Sequence, residues 1–144
     1  MHRENGFTLI EIIVVIAIIG LLSGIAMPKF MNIVQDAKYA KLLGAKGALA
    51  SSSSMINALY IASGGNNSIK SEKWTLSDGS IINMRYGYPK GPDILRYTKL
   101  TGYNITNNAN RADIRIQAGD KTYLRYNPKK SGIYLEIKGK ISNL

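Results

Sequence analysis

The run of apolar residues from Phe7 to Met27 constrains the fold of this chain more than any other feature of the sequence. It contains 21 residues, and Glu11 is its only charged side chain. An α-helix of that length spans roughly 31 Å, about the thickness of the hydrocarbon core of a bilayer. The run is also longer than the apolar region of an ordinary secretory signal, which has about 7–15 residues. The sequence therefore predicts a membrane-spanning helix over residues 7–27.

Glu11 is unexpected in such a helix, because a carboxylate at the centre of a bilayer costs about 2.5–3.5 kcal/mol and somewhat less near the interface. We therefore expect it to have a partner. Cleavage between Gly6 and Phe7 would supply one, because the new α-ammonium of Phe7 would precede Glu11 by four residues and lie on the same helix face. The ammonium can belong to the same chain or to a helix packed beside it. The alternative is a plain membrane anchor in which Glu11 reaches the lipid headgroups.

The short polar leader ending in Gly6, followed by "FTLIE" and a long apolar helix, resembles the class III signal of type IV prepilins and related pseudopilins. The resemblance covers Gly6 to about Phe30. It implies that residues 1–6 are a leader peptide, that a prepilin peptidase cuts after Gly6, and that the same enzyme methylates the new amine of Phe7. It also implies that Glu11 pairs with the amine of Phe7 on a neighbouring subunit during assembly.

The same resemblance implies a structural role rather than an enzymatic one. A precursor in the bacterial inner membrane would be built into an extracellular pilus, a helical homo-oligomer, by an assembly platform and its ATPase. Surface attachment, aggregation, biofilm formation or motility would follow. Within the family, "AMPKF" and Gly87-Tyr88-Pro89 resemble the mannose-sensitive haemagglutinin class of type IVa pilins. A type II secretion pseudopilin is the alternative.

Beyond the membrane segment, the pattern predicts that the helix continues as an amphipathic helix over residues 28–62 and ends at Gly64-Gly65. We expect Gly20, Gly24 and Pro28 to bend it in the monomer, because Pro28 cannot donate a helical hydrogen bond. The resemblance implies local melting there in a filament. The face expected to pack carries small and apolar residues at steps of three and four: Phe30, Ile33, Ala37, Ala40, Gly44, Ala48, Ser51, Met55 and Leu59.

The C-terminal part of the chain is predicted to form β-strands. A connecting loop is predicted over residues 63–79 and antiparallel strands over about 80–140, making a head that comprises residues 28–144. Alternation is clear in "SIINMRYGY", "ADIRIQA", "TYLRYNP" and "GIYLEIKGK", and weaker in "DILRYTKL" and "YNIT". The predicted fold class is α+β: one long N-terminal helix with an antiparallel sheet packed on its second half.

The amino-acid composition further limits the kinds of functional site that the chain can hold. The chain has no cysteine, and its one histidine is His2, which argues against disulfides, thiolate metal sites and a Ser-His-Asp triad. The carboxylates of the head show no catalytic spacing, so we expect no catalytic residue, metal or cofactor. The net charge of +10 favours anionic partners. Arg85, Arg96 and Lys99 lie among tyrosines, so a minor pilin that binds DNA or another polyanion through them stays open.

Overall fold

The computed structural model of the protein describes residues 7–139, so the predicted leader and the Gly6 side of the cleavage site lie outside the described residues. Along the chain the elements are α1 (Leu9–Ala62), β1 (Glu72–Thr75), β2 (Ile81–Arg85), β3 (Tyr88–Pro89), α2 (Gly91–Tyr97), β4 (Asn104–Asn107), β5 (Ala112–Arg115), β6 (Tyr123–Lys129) and β7 (Gly132–Lys138). The chain divides into two units, with the boundary between residues 37 and 38.

The first unit, over its described residues 7–37, is the N-terminal part of α1 and the two residues that precede it. Its large apolar side chains, from Phe7 to Val34, are all between 48% and 84% exposed. By length and composition, α1 contains a stretch that is apolar enough to cross a membrane.

In the second unit, one face of α1 contributes five of the twelve buried residues of the hydrophobic core. Its buried residues recur at helical spacing: Leu42, Ala45, Leu49, Ser53, Ile56 and Tyr60. The predicted packing face was therefore wrong for this part of the helix, because Gly44, Ser51, Met55 and Leu59 are exposed. The buried stripe has four large side chains, Leu42, Leu49, Ile56 and Tyr60. The predicted stripe has only two over the same turns, Met55 and Leu59, so burying it would remove less apolar area from water.

Two antiparallel sheets complete the core. One has the strand order β1-β2-β3 and the other β4-β5-β6-β7. Ile82 and Met84 of β2, Ile114 of β5, and Leu124 and Tyr126 of β6 are fully buried in one cluster with the α1 face. The α+β fold class is confirmed, although the single predicted sheet is two. Helix α2 and the segment up to Asn104 separate the last strand of the first sheet from the first strand of the second.

Helix α2 contradicts the prediction that "DILRYTKL" is a strand, and β1 lies within the predicted loop over residues 63–79. The helix begins after Lys90, and Pro92 and Asp93 lie in its first turn. Proline fits the first turn of a helix because its missing N–H has no helical acceptor there, and a carboxylate there favours the helix dipole. The buried Asp93 carboxylate also accepts the backbone N–H of Asn83 at 3.3 Å and its side-chain amide at 3.1 Å, which ties α2 to β2.

Helix α1 ends at the predicted place. The backbone N–H of Gly65 donates to the Tyr60 carbonyl at 2.9 Å, and that of Gly64 donates to the Ile61 carbonyl at 3.0 Å. Gly64 has a φ of +87°. This is a Schellman motif, which satisfies the last carbonyls of a helix.

A tight turn joins β2 and β3, and both of its central residues, Tyr86 and Gly87, have positive φ. The Asn57 amide donates to the Gly87 carbonyl at 2.6 Å and to Asn67 Oδ1 at 3.1 Å. A side chain at position 87 would collide with the Asn67 amide. The turn therefore packs directly against the end of α1.

Candidate functional site

The predicted assembly site at the start of α1 contains a hydrogen-bonded cap. Glu11 Oε2 accepts the backbone N–H of Thr8 at 2.8 Å and the Thr8 hydroxyl at 2.8 Å. The backbone N–H of Glu11 in turn donates to Thr8 Oγ1 at 3.4 Å. This reciprocal pattern is a capping box, in which Thr8 is the N-cap and Glu11 the third helical residue. Its sequence signal is a threonine followed three residues later by a glutamate, which sequence reasoning had missed.

The Glu11 carboxylate lies in apolar surroundings. Phe7, Ile10, Val14 and Val15 line an open groove of about 340 Å³ beside it. Phe7 itself is 84% exposed. Any helix that packed on this face would bring its own groups to a carboxylate surrounded by hydrocarbon, where a charge interacts more strongly than in water. The pairing of Glu11 with the Phe7 amine, and the methylation of that amine, stay predictions.

The predicted bend around Gly20, Gly24 and Pro28 lies within an unbroken α1. A β-carbon added at Gly20 or Gly24 would meet no other atom within 4 Å, so packing inside the chain does not require glycine at either position. The Ser23 hydroxyl donates to the Ile19 carbonyl at 2.7 Å, a contact that competes with the helical hydrogen bond of that carbonyl. Melting of this stretch in a filament stays a prediction.

The three basic residues predicted to bind polyanions have different surroundings. Arg96, on α2, lies 3.7 Å from the Asp93 carboxylate. Lys99 is exposed after α2. Arg85, at the end of β2, donates from one guanidinium nitrogen to Asn127 Oδ1 and to the Pro128 carbonyl, both at 3.2 Å. In the part of the chain that the structure describes, no hydrogen bond or ion pair joins these three residues, and their role in binding stays a prediction.

The acidic residues of the head have structural contacts. Asp113 accepts two hydrogen bonds from Arg125, at 2.9 and 3.0 Å, and the bonds from this guanidinium hold the pKa of Asp113 below its ordinary value. Asp120 lies 3.3 Å from the Lys38 ammonium. Over residues 7–139, no three His, Cys, Asp or Glu residues are grouped as metal ligands would be.

Comparison with known proteins gives one family model and several relatives, none of which covers the whole chain. The family model described as "Prokaryotic N-terminal methylation motif" matches residues 1–27. Fimbrial protein Q of Moraxella bovis is 41% identical over 44 residues, which are 31% of this chain and 28% of that protein. The type IV narrow pilus major component PilA5 of Thermus thermophilus is 43% identical over 49 residues, or 34% of this chain and 42% of that protein.

The similarity to another relative covers more of the chain. The fimbrial protein of Moraxella nonliquefaciens is 36% identical over 90 residues, which are 60% of this chain and 53% of that protein. The chain thus spans about half or less of the length of each of these relatives. No solved structure matches the chain. The motif and the relatives together show that the chain is similar to type IV fimbrial and pilin proteins, and they do not favour a secretion pseudopilin.

Proposed function

We propose that the chain is a structural subunit of a type IV pilus-like filament and that its N-terminal helix holds the subunits together. The observation that carries the proposal is the apolar surface of residues 7–34, in which Glu11 is the one carboxylate. All the large apolar side chains of this surface are between 48% and 84% exposed. The surface therefore needs lipid or other copies of the same helix to cover it.

Covering this apolar surface is favourable in both environments that a pilin occupies, the membrane and the filament. Burying one large apolar side chain gains about 1.5–3 kcal/mol relative to water, so a helix of this kind does not remain in water. Lipid covers it in a membrane. Outside the cell, a bundle of neighbouring helices would cover it, and close helix packing would replace the lipid contacts. Polymerisation, rather than catalysis, is the work of such a segment.

Processing and partners follow from the resemblance of the N-terminus. In this proposal, a prepilin peptidase cuts between Gly6 and Phe7 and methylates Phe7, while the precursor is anchored in the inner membrane. An assembly platform and its ATPase then extract the subunit. The ammonium of Phe7 from one subunit meets Glu11 of another and fixes the axial position of the incoming helix. The filament carries the heads outside the cell, where they support attachment, aggregation or motility.

The mass of the N-terminal peptide tests this proposal directly. Material sheared from the cell surface is digested, and the N-terminal peptide is identified by mass spectrometry; the membrane fraction of the same cells is the comparison sample. We expect a chain that begins at Phe7 and carries one methyl group, recovered from high-molecular-weight filaments. A chain that begins at Met1 and occurs only in the membrane would overturn the proposal and restore the plain-anchor interpretation.

A further inference from the structure

The head contains a polar cleft that the sequence patterns did not indicate. It has a volume of about 310 Å³ and is lined by Arg85, Asn108, Ala109, Asn110, Arg111 and Asn127. These residues come from the end of β2, the β4–β5 connection and the middle of β6. A cleft of this size holds one ring-sized group rather than a long segment of polymer.

Neutral groups orient Arg85 in this cleft. Its hydrogen-bond acceptors are the Asn127 side-chain carbonyl and the Pro128 backbone carbonyl. Within residues 7–139, no carboxylate lies within ion-pair distance of Arg85, whereas Arg96 and Arg125 each have one. A guanidinium has five N–H donors. Its charge and its remaining donors are therefore available to a ligand.

Arg111 is held in a similar way. With its amide oxygen turned toward the guanidinium, Asn108 accepts the Arg111 Nε and one terminal nitrogen, both at 3.0 Å. The backbones of the two residues also bond to each other, at 2.9 and 3.3 Å. The nearby carboxylate of Asp113 is already engaged by Arg125 at 2.9 Å. Two oriented arginines thus share one cleft, and among the described residues neither has a carboxylate within ion-pair distance, although the charge of Asp113 acts on Arg111 from further away.

The cleft has a rigid base. The backbone N–H of Gly91 donates to the Asn110 carbonyl at 3.3 Å. A β-carbon at Gly91 would collide with the backbone of Arg111, so α2 packs directly against the β4–β5 connection. Residues held in this way lose little conformational entropy when a ligand binds.

We propose that this cleft binds an acidic saccharide unit, a sugar ring that carries a carboxylate. The carboxylate would accept hydrogen bonds from Arg85 and Arg111, because guanidinium and carboxylate match in geometry and charge. Sugar hydroxyls both donate and accept, as the amides of Asn110 and Asn127 do. The lining includes no aromatic ring, and an aromatic stacking surface is what single-stranded nucleic acid uses. The inference rests on the proposed function only in placing the head outside the cell, where acidic polysaccharides occur.

The test is a binding titration with the full chain in detergent micelles. D-glucuronate is the probe, D-glucose is the neutral control, and a short single-stranded DNA is the competing polyanion. We expect saturable binding of glucuronate that weakens with added salt, and no saturation by glucose. Arg111→Gln and Arg85→Gln should each weaken glucuronate binding at least about tenfold, since each removes one charge-assisted contact. Lys73→Gln, which changes an exposed lysine of β1 outside the cleft, should leave it unchanged.

Several results would overturn the inference. Glucose binding as tight as that of glucuronate would do so. Glucuronate binding that survives Arg111→Gln, which leaves the β2–β6 contact of Arg85 in place, would do so as well. Tighter binding of DNA with the same dependence on Arg85 and Arg111 would assign the cleft to nucleic acid instead. The titration does not depend on cleavage or polymerisation, so its outcome is separable from that of the filament proposal. Arg111→Gln cells should still make filaments.

Discussion

Replacing Glu11 by glutamine separates its two contacts, the helix cap within the chain and the proposed ion pair between chains. A glutamine can still accept the hydrogen bonds from Thr8, because the capping box takes Gln as well as Glu at this position. The ion pair is lost, and the ammonium of the neighbouring Phe7 is then buried without a partner. Removing one member of a buried ion pair costs about 3–5 kcal/mol, which is more than a hundredfold in an equilibrium constant. We therefore expect Glu11→Gln to abolish filament growth.

Thr8→Ala is the matched control. It removes the hydroxyl that bonds Glu11 and caps the helix, while the carboxylate and the backbone N–H that donates to it remain. Losing an N-cap costs about 0.5–2 kcal/mol, well below the cost of the unpaired ammonium. We expect this variant to form filaments, in reduced amounts at most.

The assay compares three quantities in each strain: precursor in the membrane, mature chain by N-terminal mass, and subunit in the sheared filament fraction by immunoblot. Glu11→Gln should give a membrane-inserted, cleaved chain and an empty filament fraction. Normal filaments from Glu11→Gln would refute the pairing argument. Equal losses in Glu11→Gln and Thr8→Ala would mean that the cap, and not the charge, is what assembly requires.

Three further predictions concern the stability of the head, measured by thermal or denaturant unfolding of the full chain in micelles. Gly87→Ala should destabilise the head more than Gly79→Ala does. Both glycines have positive φ, which costs an alanine about 1–2 kcal/mol, but of the two only position 87 lacks space for a side chain. Equal losses of stability in the two variants would contradict the packing of the turn. Tyr126→Phe should cost about 1–3 kcal/mol, because the buried phenol, whose pKa is raised by burial, donates to the Pro89 carbonyl at 2.7 Å; no change would contradict this role. The hydrogen bonds from Arg125 lower the pKa of Asp113, so Asp113 should stabilise the fold above about pH 4 and lose that contribution as the pH falls below its ordinary pKa. Asp113→Asn should therefore reduce the loss of stability between neutral and acidic pH. The same loss in Asp113→Asn as in the unchanged chain would contradict this role of Asp113.

Local patterns predicted much of this fold. The apolar run gave the start of α1, and Gly64-Gly65 gave its end, because a Schellman motif depends on consecutive residues only. The alternating segments gave β5, β6 and β7 in the right places. In each of these cases the information lies within a few neighbouring residues, so no tertiary contact is needed to read it.

Other elements depended on contacts that the sequence does not display. The helix carries two overlapping stripes over residues 42–60, one rich in small residues and one in large ones, and periodicity alone does not decide between them. The sheets bury Leu42 and Leu49 and leave Met55 exposed. Helix α2 did have local signals, Pro92 and Asp93 in its first turn, but the alternation that follows them favoured a strand.

The two candidate sites differ for the same reason. Thr8 and Glu11 are three residues apart, so the capping box can be predicted from the sequence when Glu11 is considered together with Thr8. The arginine cleft is not legible, because Arg85 and Arg111 meet only when β2 lies beside β6 and the β4–β5 connection packs on α2. The proposed assembly segment depends on neighbouring residues, whereas the cleft depends on contacts between distant parts of the head. Substitutions in the cleft can therefore accumulate without disturbing the assembly segment. Changes at Arg111 should therefore alter what the head binds while the filament itself still forms.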